Sequence, residues 1–229
     1  MSIAENLQRV RGQIADAASS ADRNPDDVTL VAVSKTWPAE AILEAFDAGQ
    51  RVFGENKVQE ILEKVDRLPD EVEWHLVGHL QKNKTRKVLP LCSCVHSVDS
   101  LALAERMGRV AGDLGIAPSV LLQVNVAGDD AKFGFPERLL REQFGAILAV
   151  ERLEIAGLMT VPSFDPDPEK TRPFFARLRE LRDELAEASG HALPALSMGM
   201  SHDFAVAVEE GATLVRVGSS IFGKRDYSR

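Results

Sequence analysis

The sequence predicts an α/β fold, a single (β/α)8 barrel of TIM type built from residues 1–229. Three observations carry this. Short apolar, β-branched runs alternate about eight times with segments of helical spacing. The connections between them are short, with no linker-like gap and no low-complexity stretch. No G-x-G-x-x-G follows the first strand, which weighs against a doubly wound open sheet, the main competitor. Alternation of this kind implies a parallel sheet, because parallel neighbours need a crossover segment, usually a helix.

The elements follow in order. Ser2 to about Ser20 carries Ile3, Leu7, Val10 and Ile14 at helical spacing, and Ser2 with Glu5 makes a capping box. "ADRNPDD" is a loop, and Val28–Val33 reads as a buried strand that ends at Lys35 and a Thr-Trp-Pro breaker. Pro38 suits a first helical turn, continued by Ala41, Ile42, Ala45 and Phe46 and ended at Gly49. "RVFG" is the second strand and Glu55–Val65 the next helix. "VEWHLVG", "SCVHSV", "SVLLQVNV", "LEIAGLM", "ALPALSM" and "TLVRVG" supply the remaining strands. Helices are expected between them near 81–88, 99–114, 136–150, 168–189 and 203–210.

Composition narrows the class. Hydrophobic residues make up 45% and charged residues 27%, ordinary for a globular chain able to bury a core. A net charge of −8 argues against nucleic acid held by bulk electrostatics, though not against a small anion held by local lysines and amides. Cys92 and Cys94 are poorly spaced for a disulfide and too few for zinc. On a regular strand both would share one face as packed, reduced thiols, which favours a reducing compartment. The N-terminus is charged throughout, unlike a signal peptide, and no run is long enough to span a membrane. A cytoplasmic protein is expected, and a monomer suits a closed barrel with polar outer helix faces.

Barrel active sites form where strand C-termini and the following loops meet. The unusual residues fall there: Lys35 after the first strand, Asn56 after the second, His79 after the third, Lys132 and Gly134 after the fifth, Met159 and Thr160 closing the sixth. "SMGMSHD" and "VGSS" follow the seventh and eighth, the two places where barrels commonly hold phosphate. Gly199, Gly218 and Ser219 can make turns, but small residues and hydroxyls in both loops together favour an anion cup. Lys35 at the mouth can be partly desolvated, which lowers its pKa and frees a lone pair for attack on a carbonyl. Pyridoxal 5′-phosphate supplies both an aldehyde and a phosphate. Arg216 points away from the face shared by Val215 and Val217, a costly place for arginine unless it is paired or functional. Beside a pyridine nitrogen it would donate and leave that nitrogen unprotonated, a weaker electron sink than a pyridinium. His79 can stack on a cofactor ring or tie a loop down. Asn56 can bond a cofactor hydroxyl or cap a helix. His75 and His96 read as satisfied core groups and "QKNKTRK" as a solvated helix face. Met198 and Met200 read as packing, with Met200 also assigned to the pocket lining.

Together "VAVSKTWPAEAI", "FGENKVQE", "WHLVGHLQKNK", "HSVDS", "LMTV", "LSMGMSHD" and "VRVGSSIFGKRDY" resemble, from about Val28 to Tyr227, the YggS/PROSC family of pyridoxal phosphate homeostasis proteins. The resemblance implies a fold type III barrel similar to the N-terminal domain of alanine racemase. It implies Lys35 as the Schiff-base lysine, and Ser201, Gly218 and Ser219 around the phosphate. It further implies Arg216 at the pyridine nitrogen and Asn56 near the ring, with Lys132 and Lys224 at the pocket mouth in cofactor loading or release. Trp37 and His202 stand where polar or acidic residues are common in that family.

The expected function is binding of pyridoxal 5′-phosphate in vitamin B6 homeostasis, without efficient catalysis and with cofactor-requiring apo-enzymes as candidate partners. A racemase needs an acid or base on each face of the substrate α-carbon. In alanine racemase a tyrosine from a second domain supplies one of them. No second domain is expected here, and the single tyrosine, Tyr227, lies near the terminus. The rivals are a racemase or transaminase using the same cofactor and, more distantly, a lysine-dependent aldolase.

Overall fold

A computed structural model describes residues 1–129 and 131–223. Eight parallel strands close on themselves in sequence order. They are β1 (Thr29–Val33), β2 (Val52–Glu55), β3 (Glu73–Leu76), β4 (Cys92–Val98), β5 (Ser119–Gln123), β6 (Glu154–Met159), β7 (Ala195–Ser197) and β8 (Leu214–Val217). Closure runs through β1 and β8, whose register sets Val31 opposite Arg216. The helices are α1 (Ile3–Ser20), α2 (Ala39–Asp47), α3 (Val58–Lys64), α4 (Thr85–Val88), α5 (Leu101–Leu114), α6 (Glu137–Leu148), α7 (Arg172–Ser189), α8 (Phe204–Glu209) and α9 (Ser219–Phe222). The predicted barrel is therefore present, with most elements a few residues shorter than the pattern suggested.

Differences from the expected elements have local causes. The helix expected at 81–88 is a 3-10 turn, Lys82–Lys84, followed by the single turn of α4. The helix expected from residue 55 begins three residues later, because Glu55 completes β2. The capping box of α1 is present, with both the Ser2 side chain and the Glu5 side chain bonded to backbone amides. α1 packs against α2, α8 and α9, filling the gap in the helical ring beside the one-turn α9. Asn6 Nδ2 and Arg9 fix it there by donating to the Ile221 and Ser220 carbonyls at 2.9 and 2.8 Å.

Most of the core lies between sheet and helices, where Phe53, Leu76, Leu103, Met107, Leu122 and Phe175 are fully buried. A second, small apolar cluster of Cys94, Leu121 and Met159 fills the barrel interior. This corrects the expectation that Cys92 and Cys94 share a face. Cys92 pairs with Trp74 and Cys94 with the next residue of β3, His75, because the register shifts there. The extra residue of this bulge, Ser93, sends Cys92 outward and Cys94 inward. Both thiols are free, and burial pushes each up to about 12.

Polar groups also enter the barrel. His96 Nε2 lies 2.9 Å from His75 Nδ1, and His96 Nδ1 lies 2.8 Å from Ser197 Oγ. Cys94 completes a compact trio with the two histidines. Burial holds His75 down to about 4 and His96 well below its ordinary value, so both imidazoles are neutral at pH 7. They are the satisfied core groups the sequence suggested.

Gly157 shows how tightly β6 and β7 approach. A Cβ there would sit 1.9 Å from the Ala195 carbonyl oxygen, an atom that cannot move without parting the strands. Gly157→Ala is therefore expected to lower stability in urea unfolding by at least about 1–3 kcal/mol, the usual cost of overpacking. The histidine pair sets an acid limit. A group whose folded pKa is depressed loses protons on folding, so its contribution is complete above about 6.5 and is lost as the pH falls towards 4. His75→Gln keeps an acceptor without titrating. Its thermal midpoint is expected to fall less than that of the unmodified protein between pH 6.5 and 4.

Candidate functional site

The C-terminal ends of β1, β2, β3, β6, β7 and β8 and the loops after them enclose a cavity of about 290 Å³. Lys35, Asn56, Met200, Ser201, Arg216, Gly218 and Ser219 line it, with Val33, Val77, Val161 and His202. Seven of the nine cofactor-binding residues expected from the sequence thus meet in one place. Among the described residues the lining contains one lysine, one arginine, three hydroxyl or amide side chains and no carboxylate, although the whole chain carries a net charge of −8.

The strands explain each position. Arg216 is inward on β8 and only 5% exposed. It donates to Ser197 Oγ at 2.5 Å and to the Thr160 carbonyl at 2.8 Å, so both an ion-free hydrogen-bond net and the cavity account for it. Burial lowers its pKa to about 10, which leaves it charged at neutral pH. Because a guanidinium only donates, the Ser197 hydroxyl accepts from it and is free to donate to His96 Nδ1, and His96 Nε2–H then donates to His75. A polar chain thus runs from the cavity floor into the barrel, anchored by Arg216.

The loops after β7 and β8 interlock. The Gly218 amide donates to Ser201 Oγ at 3.0 Å, and Ser220 Oγ donates to the Ser201 carbonyl at 3.1 Å. Accepting from Gly218 leaves the Ser201 hydroxyl proton free for a ligand. A Cβ at Gly218 would lie 3.1 Å from the Val33 carbonyl, so a small residue is favoured where the loop passes the end of β1. Asp203 steadies the first loop by accepting from the Met200 amide at 2.6 Å. Two side-chain atoms buried here lack a hydrogen-bond partner among the described residues, His202 Nε2 and Asp203 Oδ2, although they lie 3.5 Å apart.

Lys35 is half-buried, one residue past Ser34 and just before Thr36, which has φ +70°. Asn56 is held by the close approach of Gly78, where a Cβ would sit 2.2 Å from the Asn56 carbonyl oxygen. Beneath them lies a charged cluster that sequence reading missed. The Lys64 ammonium donates to Glu55 Oε1 at 2.7 Å, Glu60 Oε2 at 3.0 Å and the Ser34 carbonyl at 3.2 Å. Burial raises the Glu55 carboxyl to about 7, outweighing its bonds from Lys64 and Ser34. For Glu60 burial acts the same way, but the Thr36 amide and Lys64 prevail and its pKa is lowered.

Two expected residues stand outside the cavity. His79 stacks on Phe133 with centroids 4.1 Å apart and lies 3.0 Å from Asp99, in a neighbouring hollow of about 600 Å³ that shares Asn56. That hollow is larger, but it gathers neither Lys35 nor Arg216 nor either small-residue loop. Lys132 donates to the Val161 carbonyl at 3.1 Å and so touches the rim, and burial lowers its pKa. Gly134 serves the fold, its φ of +125° bringing the chain against the backbone of Val124 and Asn125. Trp37 stacks on Phe222, tying the loop after β1 to α9. Lys224 and Tyr227 lie outside the described residues. The residues missed in sequence, His202 and the Lys64 cluster, had one visible signal: His202 adjoins Ser201, and Glu60 and Lys64 have helical i, i+4 spacing.

Comparison with known proteins shows the family and the same fold. The family model described as alanine racemase, N-terminal domain, matches residues 5–226. A pyridoxal phosphate homeostasis protein of Aquifex aeolicus is 44% identical over 228 residues, covering 99% of this chain and all of that one. The structure of PipY from Synechococcus elongatus with pyridoxal phosphate bound superposes with a TM-score of 0.87 at 42% identity, over 97% of this chain and all of that one. Alanine racemase from Bartonella henselae, at 16% identity and a TM-score of 0.73, shares the fold over 97% of this chain and 60% of its own. A barrel matched from end to end at this identity leaves one assignment: the chain belongs to the family of pyridoxal phosphate homeostasis proteins.

Proposed function

We propose that this protein binds pyridoxal 5′-phosphate in the cavity at the barrel mouth and serves in its homeostasis, with Lys35 as the attachment point and without efficient catalysis. The observation that carries the reading is the lining itself: Lys35 and Arg216, Ser201, Gly218, Ser219 and Asn56, with no carboxylate among the described residues. An anionic ligand with an aldehyde matches that donor set, and of the relatives named above PipY holds pyridoxal phosphate and the Aquifex aeolicus protein is a pyridoxal phosphate homeostasis protein. When bound, the cofactor supplies an aldehyde that condenses with a lysine amine, with loss of water.

Each residue has a role that follows from its setting. Ser201 donates its hydroxyl proton, and the small residues Gly218 and Ser219 let the backbone come close to a phosphate. Arg216, already held by Ser197 and Thr160, presents remaining N–H groups to the pyridine nitrogen and keeps that nitrogen unprotonated. Asn56 orients the ring edge and Met200 packs beside it. His79, stacked on Phe133, holds the loop after β3, and Lys132 acts at the rim in loading or release. Reception of the cofactor by apo-enzymes belongs to the same reading.

Racemisation would need a second proton-transfer group across the α-carbon from Lys35. Among the described lining residues only His202 has a titratable side chain besides Lys35 and Arg216. That lining, with a guanidinium rather than a carboxylate at the ring nitrogen, supports holding over turnover.

Incubation with pyridoxal 5′-phosphate, borohydride reduction and peptide mapping test the reading. The adduct is expected on Lys35, and Lys35→Ala should abolish it while leaving the fold intact. An adduct spread over surface lysines would refute the site. Ser201→Ala should weaken cofactor binding by about 1.5–3 kcal/mol, the worth of a hydrogen bond to a charged group. An unchanged Kd would remove Ser201 from the phosphate cup.

A further inference from the structure

We propose that Lys64 and Glu60 of α3 are positioning residues for Lys35, clamping the main chain on both sides of it from beneath the cavity. The inference rests on the reading of Lys35 as the attachment point. It concerns what makes that lysine reactive rather than which ligand it meets.

Lys64 is 7% exposed, an unusual place for an ammonium at a helix end. All three of its hydrogens are used, on Glu55, Glu60 and the Ser34 carbonyl. A buried ion cluster is weak evidence of a contribution to stability, since apolar residues of similar volume often serve as well. What this cluster does hold is the segment 34–36. Ser34 is gripped three times: its amide donates to the Gly54 carbonyl at 3.0 Å, its hydroxyl to Glu55 Oε1 at 2.7 Å, and its carbonyl accepts from Lys64.

On the far side the Thr36 amide donates to Glu60 Oε2 at 2.6 Å. Thr36 is β-branched and has φ +70°, a conformation such residues rarely adopt. A backbone kept there has to be over-determined by its surroundings, and such strain gathers at ligand sites. The Glu60 carboxylate, itself paired with Lys64, supplies the side-chain constraint on it. The loop's own turn, closed by the Trp37 amide donating to the Ser34 carbonyl at 3.0 Å, adds to this, and Lys35 lies between two residues whose main chain the second β/α unit holds from beneath.

Attachment requires the Lys35 amine to meet the aldehyde carbon. The C–N bond forms, the nitrogen gives up two protons, and the carbonyl oxygen departs with them as water. Misplacing the amine slows this step without touching the contacts to phosphate and ring. Pyridoxine 5′-phosphate, with an alcohol in place of the aldehyde, reports those contacts alone.

The experiment compares the full-length protein with Lys64→Met and Glu60→Gln. It follows the rate of adduct formation with pyridoxal 5′-phosphate, the Kd for pyridoxine 5′-phosphate, and Tm. Adduct formation is expected to slow roughly ten- to a hundredfold in both variants, the scale of a displaced reacting group. The Kd for pyridoxine 5′-phosphate should stay unchanged. An equal loss in both readouts, or a lowered Tm with the adduct rate intact, would overturn the proposal, because a merely structural cluster behaves in those ways. Should Lys64→Met fail to fold, Glu60→Gln, which keeps a neutral acceptor, decides alone. An unmodified protein that binds pyridoxine 5′-phosphate yet forms no adduct on Lys35 refutes the attachment reading itself, and the proposal with it.

Discussion

The closing ladder between β1 and β8 is the constraint on which the site depends. It pairs Leu30 with Val215, Val31 with Arg216 and Ala32 with Val217, joining residues nearly two hundred positions apart. Every loop at the mouth takes its place from this closure. The Lys35 segment continues one of the paired strands, and Gly218 and Ser219 continue the other. A one-residue slip would turn Arg216 outward to the helices and a valine inward, since side chains alternate along a strand. Apolar residues on the outer face of both strands, Leu30, Ala32, Val215 and Val217, hold the register by burial against the helical ring.

Inside the barrel, polar groups are arranged by the requirement that each buried donor find an acceptor. Arg216 has only protons to offer, so the Ser197, His96 and His75 contacts follow in one direction from it. The two imidazoles remain neutral and add no charge beside the guanidinium. The result is a cation fixed in direction at the cavity floor, and the mouth carries an amine at Lys35. An acidic protein thus gathers a lysine and an arginine around one cavity.

The shells around the cavity divide the work. Loops after β7 and β8 interlock through Ser201, Gly218 and Ser220, while α3 reaches beneath the loop after β1 through Lys64 and Glu60. Neighbouring units brace one another's loops, which a barrel permits because each loop has a neighbour on either side. Fixed surroundings of this kind suit a site that retains a ligand, for which preorganisation lowers the ordering cost of binding.

The sequence by itself determined the alternation of strands and helices, and with it the parallel barrel, because period-2 and period-3.6 patterns are local properties of the chain. It also determined the residues at the strand ends, Lys35, Asn56, Ser201, Arg216, Gly218 and Ser219, since position along a barrel strand implies position at the mouth. Resemblance to a family added roles to them. Tertiary structure alone decided the rest. The bulge at Ser93 parted Cys92 from Cys94, and no spacing rule in β4 announces it. His79 was drawn to Phe133, away from the cavity, by a stacking partner 54 positions later in the chain. The i, i+4 spacing of Glu60 and Lys64 on α3 does not distinguish them from any solvated helical pair. Burial under the loop of a different unit made them a clamp, and burial is a property of the packed molecule that one-dimensional spacing does not contain.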